Sequence, residues 1–238
     1  MTKTSRILAL IIILAGVGSE ARAQSDAERG FFNINFGFQP SERTIASTVT
    51  STVYAETATI STSQTIGGGA MFDLSGGIRI RPRFAVGVGY SRFSSTSDGQ
   101  VSATIPNPLF FNQAKTVTAT QAGLDHTENG IHVQVLWFIP VTDKFDASLS
   151  IGPSFIMVSQ GVPVVTIPPG TQTIAVTAGT EDGTAVGVNV GVDLNYLFAP
   201  RLGAGFFMRY AGGKVDLPSA PDLSVGGFQI GVGARIRF

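Results

Sequence analysis

Hydrophobic residues at every second position, in one segment after another, constrain this chain more than any other feature. A period of two sends alternate side chains to opposite faces of a β-strand, whereas a helix needs a period near 3.6. In the first segment Phe32, Ile34, Phe36 and Phe38 share one face, and Asn33, Asn35, Gly37 and Gln39 share the other. Seven more segments alternate in the same way, over 72–80, 84–91, 131–139, 146–155, 186–198, 202–210 and 228–238. The fourth is looser, because Leu136 and Phe138 interrupt the polar face of His132 and Gln134. In the fifth, Pro153 cannot donate to a sheet ladder and predicts a bulge. The even count suits an antiparallel barrel with both ends on one side.

The connections alternate in length. Arg81-Pro82-Arg83, Pro140 to Phe145 and Ala199-Pro200-Arg201 are tight, whereas 40–69, 94–129, 158–183 and 211–225 are long. Short turns on one side and long loops on the other are the asymmetry of a membrane barrel, with the termini and turns periplasmic and the loops external. Residues 44–65 hold 12 Ser or Thr among 22, a composition that favours extended structure. Hairpins are therefore expected above the membrane there and over 101–120 and 162–178, the last turned by Pro168-Pro169-Gly170.

Alternation does not by itself say which face points outward, since a soluble barrel could wrap its apolar face around a ligand. The charged residues decide. No Lys or Glu falls in the eight segments, so their polar face is not a water-facing surface. That face is rich in Gly, Ser and Asn, which fit the narrow interior of an eight-stranded barrel. The aliphatic face then meets lipid. Aromatic residues collect at its two ends, with Phe32, Phe84, Trp137, Tyr196, Phe198 and Phe238 toward the turns and Tyr90, Phe155, Tyr210 and Phe228 toward the loops. The fold expected is an all-β, closed antiparallel up-and-down transmembrane β-barrel of eight strands with long external loops.

The N-terminus is read apart from this domain. Lys3 and Arg6 precede an apolar run from Ile7 to Gly18, followed by Ala21-Arg22-Ala23, which marks residues 1–23 as a signal peptide cut after Ala23. The barrel domain is then 24–238. The chain has no Cys, hence neither a disulfide framework nor an acylated cysteine. Loss of Lys3, Arg6, Arg22 and Glu20 leaves 13 basic and 15 acidic residues, a balance that gives no reason to expect nucleic acid as a partner.

A cleaved leader, eight amphipathic strands and a last strand ending in Phe238 together resemble the small outer-membrane β-barrel superfamily of A-, X- and W-type proteins, across 24–238. The resemblance implies a Gram-negative outer-membrane location, with outer-membrane lipid around the barrel. It also implies an assembly signal, read by the barrel-assembly machinery, at Ile230, Val232, Ala234, Ile236 and Phe238. Ile236 departs from that pattern, since an aromatic residue is common there. The chain stops at the barrel, so the peptidoglycan-binding domain of A-type proteins, and its role, are expected to be missing.

Candidate chemistry is sparse. Gly87-x-Gly89, Gly203-x-Gly205 and Gly231-x-Gly233 lack the following helix that a phosphate loop needs, and read as crowded lumen positions. The deacylase type of small barrel uses a His and a Ser two apart, but here His126 is followed two residues later by Glu128, in an expected loop, and His132 points into the lumen. No catalytic residue, cofactor or metal site is assigned on this basis. Six charges do face the lumen. Asp73 and Arg209 lie toward the loops, and Arg79, Asp146, Asp193 and Arg235 toward the turns, so opposite charges occur at matching depth. A buried charge needs a partner, which favours a structural ion-pair network over a conducting path, with Asp193 and Asp146 as candidate partners of Arg235. The function expected is a non-enzymatic envelope or surface-interaction role carried by the long loops. A narrow channel or carrier for small hydrophobic molecules, as W-type resemblance implies, is the alternative, followed by a lipid-modifying enzyme.

Overall fold

The computed structural model describes residues 29–238, so the expected leader at 1–23 lies outside the described residues. Ten strands follow in order: β1 (Gly30–Gln39), β2 (Arg43–Val53), β3 (Glu56–Ile66), β4 (Gly69–Arg81), β5 (Phe84–Ile105), β6 (Lys115–Pro140), β7 (Phe145–Thr166), β8 (Ala175–Ala199), β9 (Leu202–Leu217) and β10 (Ala220–Arg237). β1 pairs with β4, β4 with β5, and each later strand with the next as far as β10, which pairs back onto β1. Every pairing is antiparallel, and the result is a closed ring of eight strands. Closure runs from Phe31↔Arg237 to Phe38↔Ile230. β2 and β3 stand outside the ring as a hairpin, joined to the far half of β5 from Thr59↔Thr104 to Gln64↔Gly99.

The outer wall is apolar for physical reasons already visible in the alternation. Phe36, Ile78, Val88, Val135, Ile151, Val190 and Val232 all project outward and exposed, with aromatic rings at both ends of the belt. Near the turn rim Phe84 stacks on Trp137. A surface of this kind is stable in lipid, and a ring without edges is the sheet that satisfies its backbone there, so the fold is the transmembrane barrel expected.

The strands are longer than the alternation alone marked. A transmembrane strand needs about 9–11 residues, but β5, β6, β7 and β8 contain 22, 26, 22 and 25. The spans 94–129 and 158–183 are therefore mostly ladder, and so is 211–225, where β9 and β10 run on to a tight turn at Pro218-Ser219. The reason is an inversion of pattern at the loop rim. Below it apolar side chains face outward. Beyond it Ile156, Val158, Val215, Leu217, Leu223 and Val225 face inward and pack with Ile45 of β2 and Ile66 of β3. The projecting half is thus a curved, water-exposed sheet with its own core.

Pro153 departs from expectation in a different way. The β6–β7 ladder lapses between His132↔Ser154 and Val135↔Ile151, then resumes in the same register, so proline produces a gap and not a bulge. The Asn189 amide covers that gap by donating to the carbonyls of Gly152 and Pro153.

Candidate functional site: the filled lumen and the loop apex

The lumen is filled in layers. At the turn rim Phe31, Ala85, Leu136 and Phe138 form an apolar floor, which accounts for the two residues that broke the polar face of β6. Phe31 meets Phe138 edge to face. The Arg79 guanidinium lies 4.3 Å from the Phe138 ring centre and that of Arg237 5.1 Å, and Arg237 reaches Asp146 at 3.0 Å.

Arg235 comes next, with no exposed surface. It donates to Asn195 Oδ1 at 2.6 Å, to Asn35 Oδ1 at 2.5 Å and to Asp193 at 3.1 Å. Asn195 donates in turn to Asp146. Asn35 donates to Asp73, whose other oxygen accepts from Arg209 at 2.7 Å. Arg209 donates to Gln229, Gln229 to Gln39, and Gln39 to Glu128. Glu128 pairs with Arg43 at 2.8 Å and contacts His126 Nε2 at 2.9 Å, while His126 Nδ1 meets Gln160. A continuous column of polar contacts therefore runs from the floor to the loop side. The cavity left among Asn33, Asp73, Ser75, Gln134 and Arg209 is about 20 Å³, room for a single water.

Of the six charges singled out from sequence, Asp73 with Arg209 and Asp193 with Arg235 are brought together. Asp146 instead pairs with Arg237, which sequence reasoning passed over although it shares the parity of Arg235. Arg79 sits over the Phe138 ring. His126 and Glu128, expected in a loop, lie on β6 and face inward, fully buried. Glu128 stands opposite Phe93, three residues past Tyr90 of the outer aromatic girdle, and so above the lipid. Burial pushes its carboxyl up, but the His126 hydrogen bond, the charges of Arg43 and His126 and the Gly226 N–H together hold it below its ordinary value.

His132 bridges two hydroxyls, with Ser91 on Nε2 and Ser154 on Nδ1, each at 2.8 Å. A nucleophile with a base in reach still needs space for the reacting carbon and a group to orient the base. The ring is spent on two serines, Ser154 also accepts from Asn189, and all of them are buried. The Ser–His–Ser bridge is built as packing.

Above the lumen the loops are tied to one another. Tyr54, in the turn of the β2–β3 hairpin, donates to the Thr171 carbonyl, and its hydroxyl accepts from the Thr171 N–H. Gln172 donates to the carbonyls of Ile105 and Gln113, bracketing the β5–β6 tip. Glu56 accepts the Asn112 N–H at 2.7 Å. Three hairpins thereby form one apex. It presents Leu109, Phe110 and Phe111, whose surfaces are 81%, 59% and 71% exposed.

No family model matches the chain, and no curated protein does. Among solved structures it is similar to Neisserial surface protein A, with 15% identity over 87% of this chain and 97% of that one and a TM-score of 0.44. The outer membrane protein OprG from Pseudomonas aeruginosa shares 9% identity over 89% and 97%, with a TM-score of 0.48. The attachment invasion locus protein Ail of Yersinia pestis shares 12% over 87% and 99%, with a TM-score of 0.40. At these values the fold rests on the strand ring of this chain itself.

Proposed function

We propose that this is an outer-membrane protein of a Gram-negative cell whose barrel is a closed anchor and whose work is non-enzymatic, done by the joined loop apex at the cell surface. The observation that carries this is the layered filling of the lumen, from the Phe31–Phe138 floor through Arg235 and Arg209 to Glu128. A conducting path would need solvated wall charges, whereas Arg235 is wholly enclosed by protein partners. A carrier would need an exit into lipid, and the lapse in the β6–β7 ladder is stoppered by Asn189, which also accepts from Gln134. Loops held on a rigid scaffold are the usual seat of variable binding. The outward residues Ile230, Val232, Ala234, Ile236 and Phe238 of the last strand and terminus line the lipid face, where the assembly machinery would read them during biogenesis.

Bilayer conductance of purified, refolded protein tests this reading. The expected record is silent. Steady single-channel currents would overturn the closed anchor in favour of a pore.

A further inference from the structure

We infer that the outer wall holds one anionic, phosphate-bearing lipid in a fixed site, its tail in a groove along β4 and β5 and its phosphate on Arg92 and Asn129. The site rests on the lipid-facing belt alone and is independent of what the loop apex does.

The groove is a dent in the lipid face. Its outward walls are Phe32, Leu74, Val88, Tyr90 and Ile131, and at its floor Gly76, paired with Phe32 on one side and Val88 on the other, has no side chain to fill the space. Its volume is about 460 Å³, and none of these side chains is charged. The belt meets hydrocarbon, so an acyl chain is what occupies a dent there.

The upper end of the groove selects among lipids. Arg92 lies two residues past Tyr90 on the outward face of β5, exposed and opposite Asn129. Two residues advance about 7 Å along a strand, or about 5 Å toward water at a tilt near 40°. Tyr90 belongs to the girdle that marks the interface, so the guanidinium reaches headgroup level. It has no partner among the described residues. Asn129 adds a second donor. The Tyr90 hydroxyl donates to Asn129 Oδ1 at 2.8 Å, which fixes the amide and leaves its NH2 unpartnered beside Arg92. A guanidinium and an amide NH2 side by side suit the oxygens of one phosphate.

Charge separates anionic from zwitterionic lipid. The outward positions around Arg92, Ala70, Phe72, Ser94 and Thr127 among them, are uncharged. Asp73 and Glu128 face the lumen, where Arg209 and Arg43 hold them. The outward Asp125, farther up β6, accepts from Thr96 at 2.7 Å. A choline or ethanolamine cation would find no carboxylate beside the phosphate and would be repelled by Arg92, whereas a headgroup of net negative charge needs none.

The test is native mass spectrometry of the full refolded barrel, released from micelles doped with phosphatidylglycerol or phosphatidylcholine. Wild type is expected to retain one phosphatidylglycerol and to shed phosphatidylcholine. Arg92→Gln should lose about tenfold in retained lipid, and Asn129→Ala a smaller part. Val88→Phe, which fills the groove and keeps the charge, should also lose retention. Lys214→Gln removes an exposed cation outside the site, one that already faces Asp222 at 3.6 Å, and should change nothing. Gel migration of unboiled samples shows that each variant is folded. Equal retention of the two lipids overturns the inference, as does a Lys214→Gln loss matching that of Arg92→Gln, which would mean diffuse charge attraction. Unchanged retention in Val88→Phe, or displacement of the lipid by glycerol phosphate, which has the headgroup and no tail, would remove the groove from the site and overturn it as well.

Discussion

Removing the Arg235 guanidinium while keeping its bulk, as in Arg235→Met, exposes how the lumen is held together. The wild-type side chain is surrounded by Asn195, Asn35 and Asp193, and Gly205 leaves the space it occupies, since a Cβ there would fall 2.4 Å from Arg235 Nε. Methionine strands the Asp193 carboxylate and two amide oxygens at once. Breaking a fully buried pair costs about 3–5 kcal/mol. Asp193 keeps 20% of its side-chain surface, which lowers that figure, and the orphaned amide oxygens add part of the roughly 1–3 kcal/mol that a buried unsatisfied group costs. A net loss of about 2–4 kcal/mol is expected. Urea unfolding in micelles, followed by the single tryptophan, Trp137, reads it directly. Arg235→Met/Asp193→Asn should recover part of the loss, because a neutral amide tolerates the site better than a lone carboxylate. Gly205→Ala should reproduce much of the damage without touching a charge. The reasoning is refuted if Arg235→Met leaves the midpoint where it was, or if the double variant is no more stable than the single one.

Further expectations concern the wall, the upper lumen and the last strand. Val190→Arg places a charge in mid-belt on the lipid face and should cost about 2–4 kcal/mol of assembly, with Val190→Leu as the neutral control; equal folding yields for the two would mean the belt does not meet lipid. Asn189→Ser should measurably lower the unfolding midpoint, since Asn189 bonds Gln134, Ser154 and two carbonyls. Glu128 has a folded-state pKa below the ordinary 4.5, so its contribution is whole above that value and fades as pH falls through the folded pKa; the midpoint difference between wild type and Glu128→Gln should be flat down to about pH 4.5 and shrink below it. Phe238→Ala should slow membrane assembly in cells more than it lowers the stability of refolded protein, and unchanged outer-membrane yield would count against the terminal signal.

The ring of eight strands was legible because lipid enforces alternation strictly, and Phe32 to Phe38 or Val186 to Phe198 admit no other regular structure. The lumen was legible in part. Inward parity identified Arg235 and Asp193, but which acid faces which base depends on how far each strand is staggered around the barrel, a quantity that no single segment encodes. Arg237 illustrates the limit, as it lies two residues from Arg235 on the same face yet reaches across to Asp146 on β7. His126 and Glu128 were misplaced for another reason. Past the membrane the outward neighbours Asp125, Thr127 and Asn129 are polar, so the apolar alternation that marks a strand stops there, although the inward run Leu124, His126, Glu128 and Gly130 continues unbroken into His132 and Gln134.

That run also shows why the membrane exit can be located without a membrane in view. Along β7 the ladder itself does not change between Phe155 and Val158, and neighbouring residues still face opposite ways. What changes is which face is apolar. Ile151 and Phe155 project outward opposite the inward Ser150 and Ser154, whereas a few residues on Ile156 and Val158 project inward and Ser159 lies on the outer side. A strand in lipid must hide polar groups inside, and a strand in water must hide apolar ones, so the crossover marks a change of solvent, not of structure. On β9 the same crossover separates outward Tyr210 from inward Val215, and on β10 outward Phe228 from inward Val225. The outward side of each crossover ends on a residue of the Tyr90, Phe155, Tyr210 and Phe228 girdle, so the change of face and the aromatic ring lie at one level. Everything past it, including Leu109, Phe110 and Phe111, stands in water, which is why their exposure calls for a partner when that of Val190 or Ile151 does not.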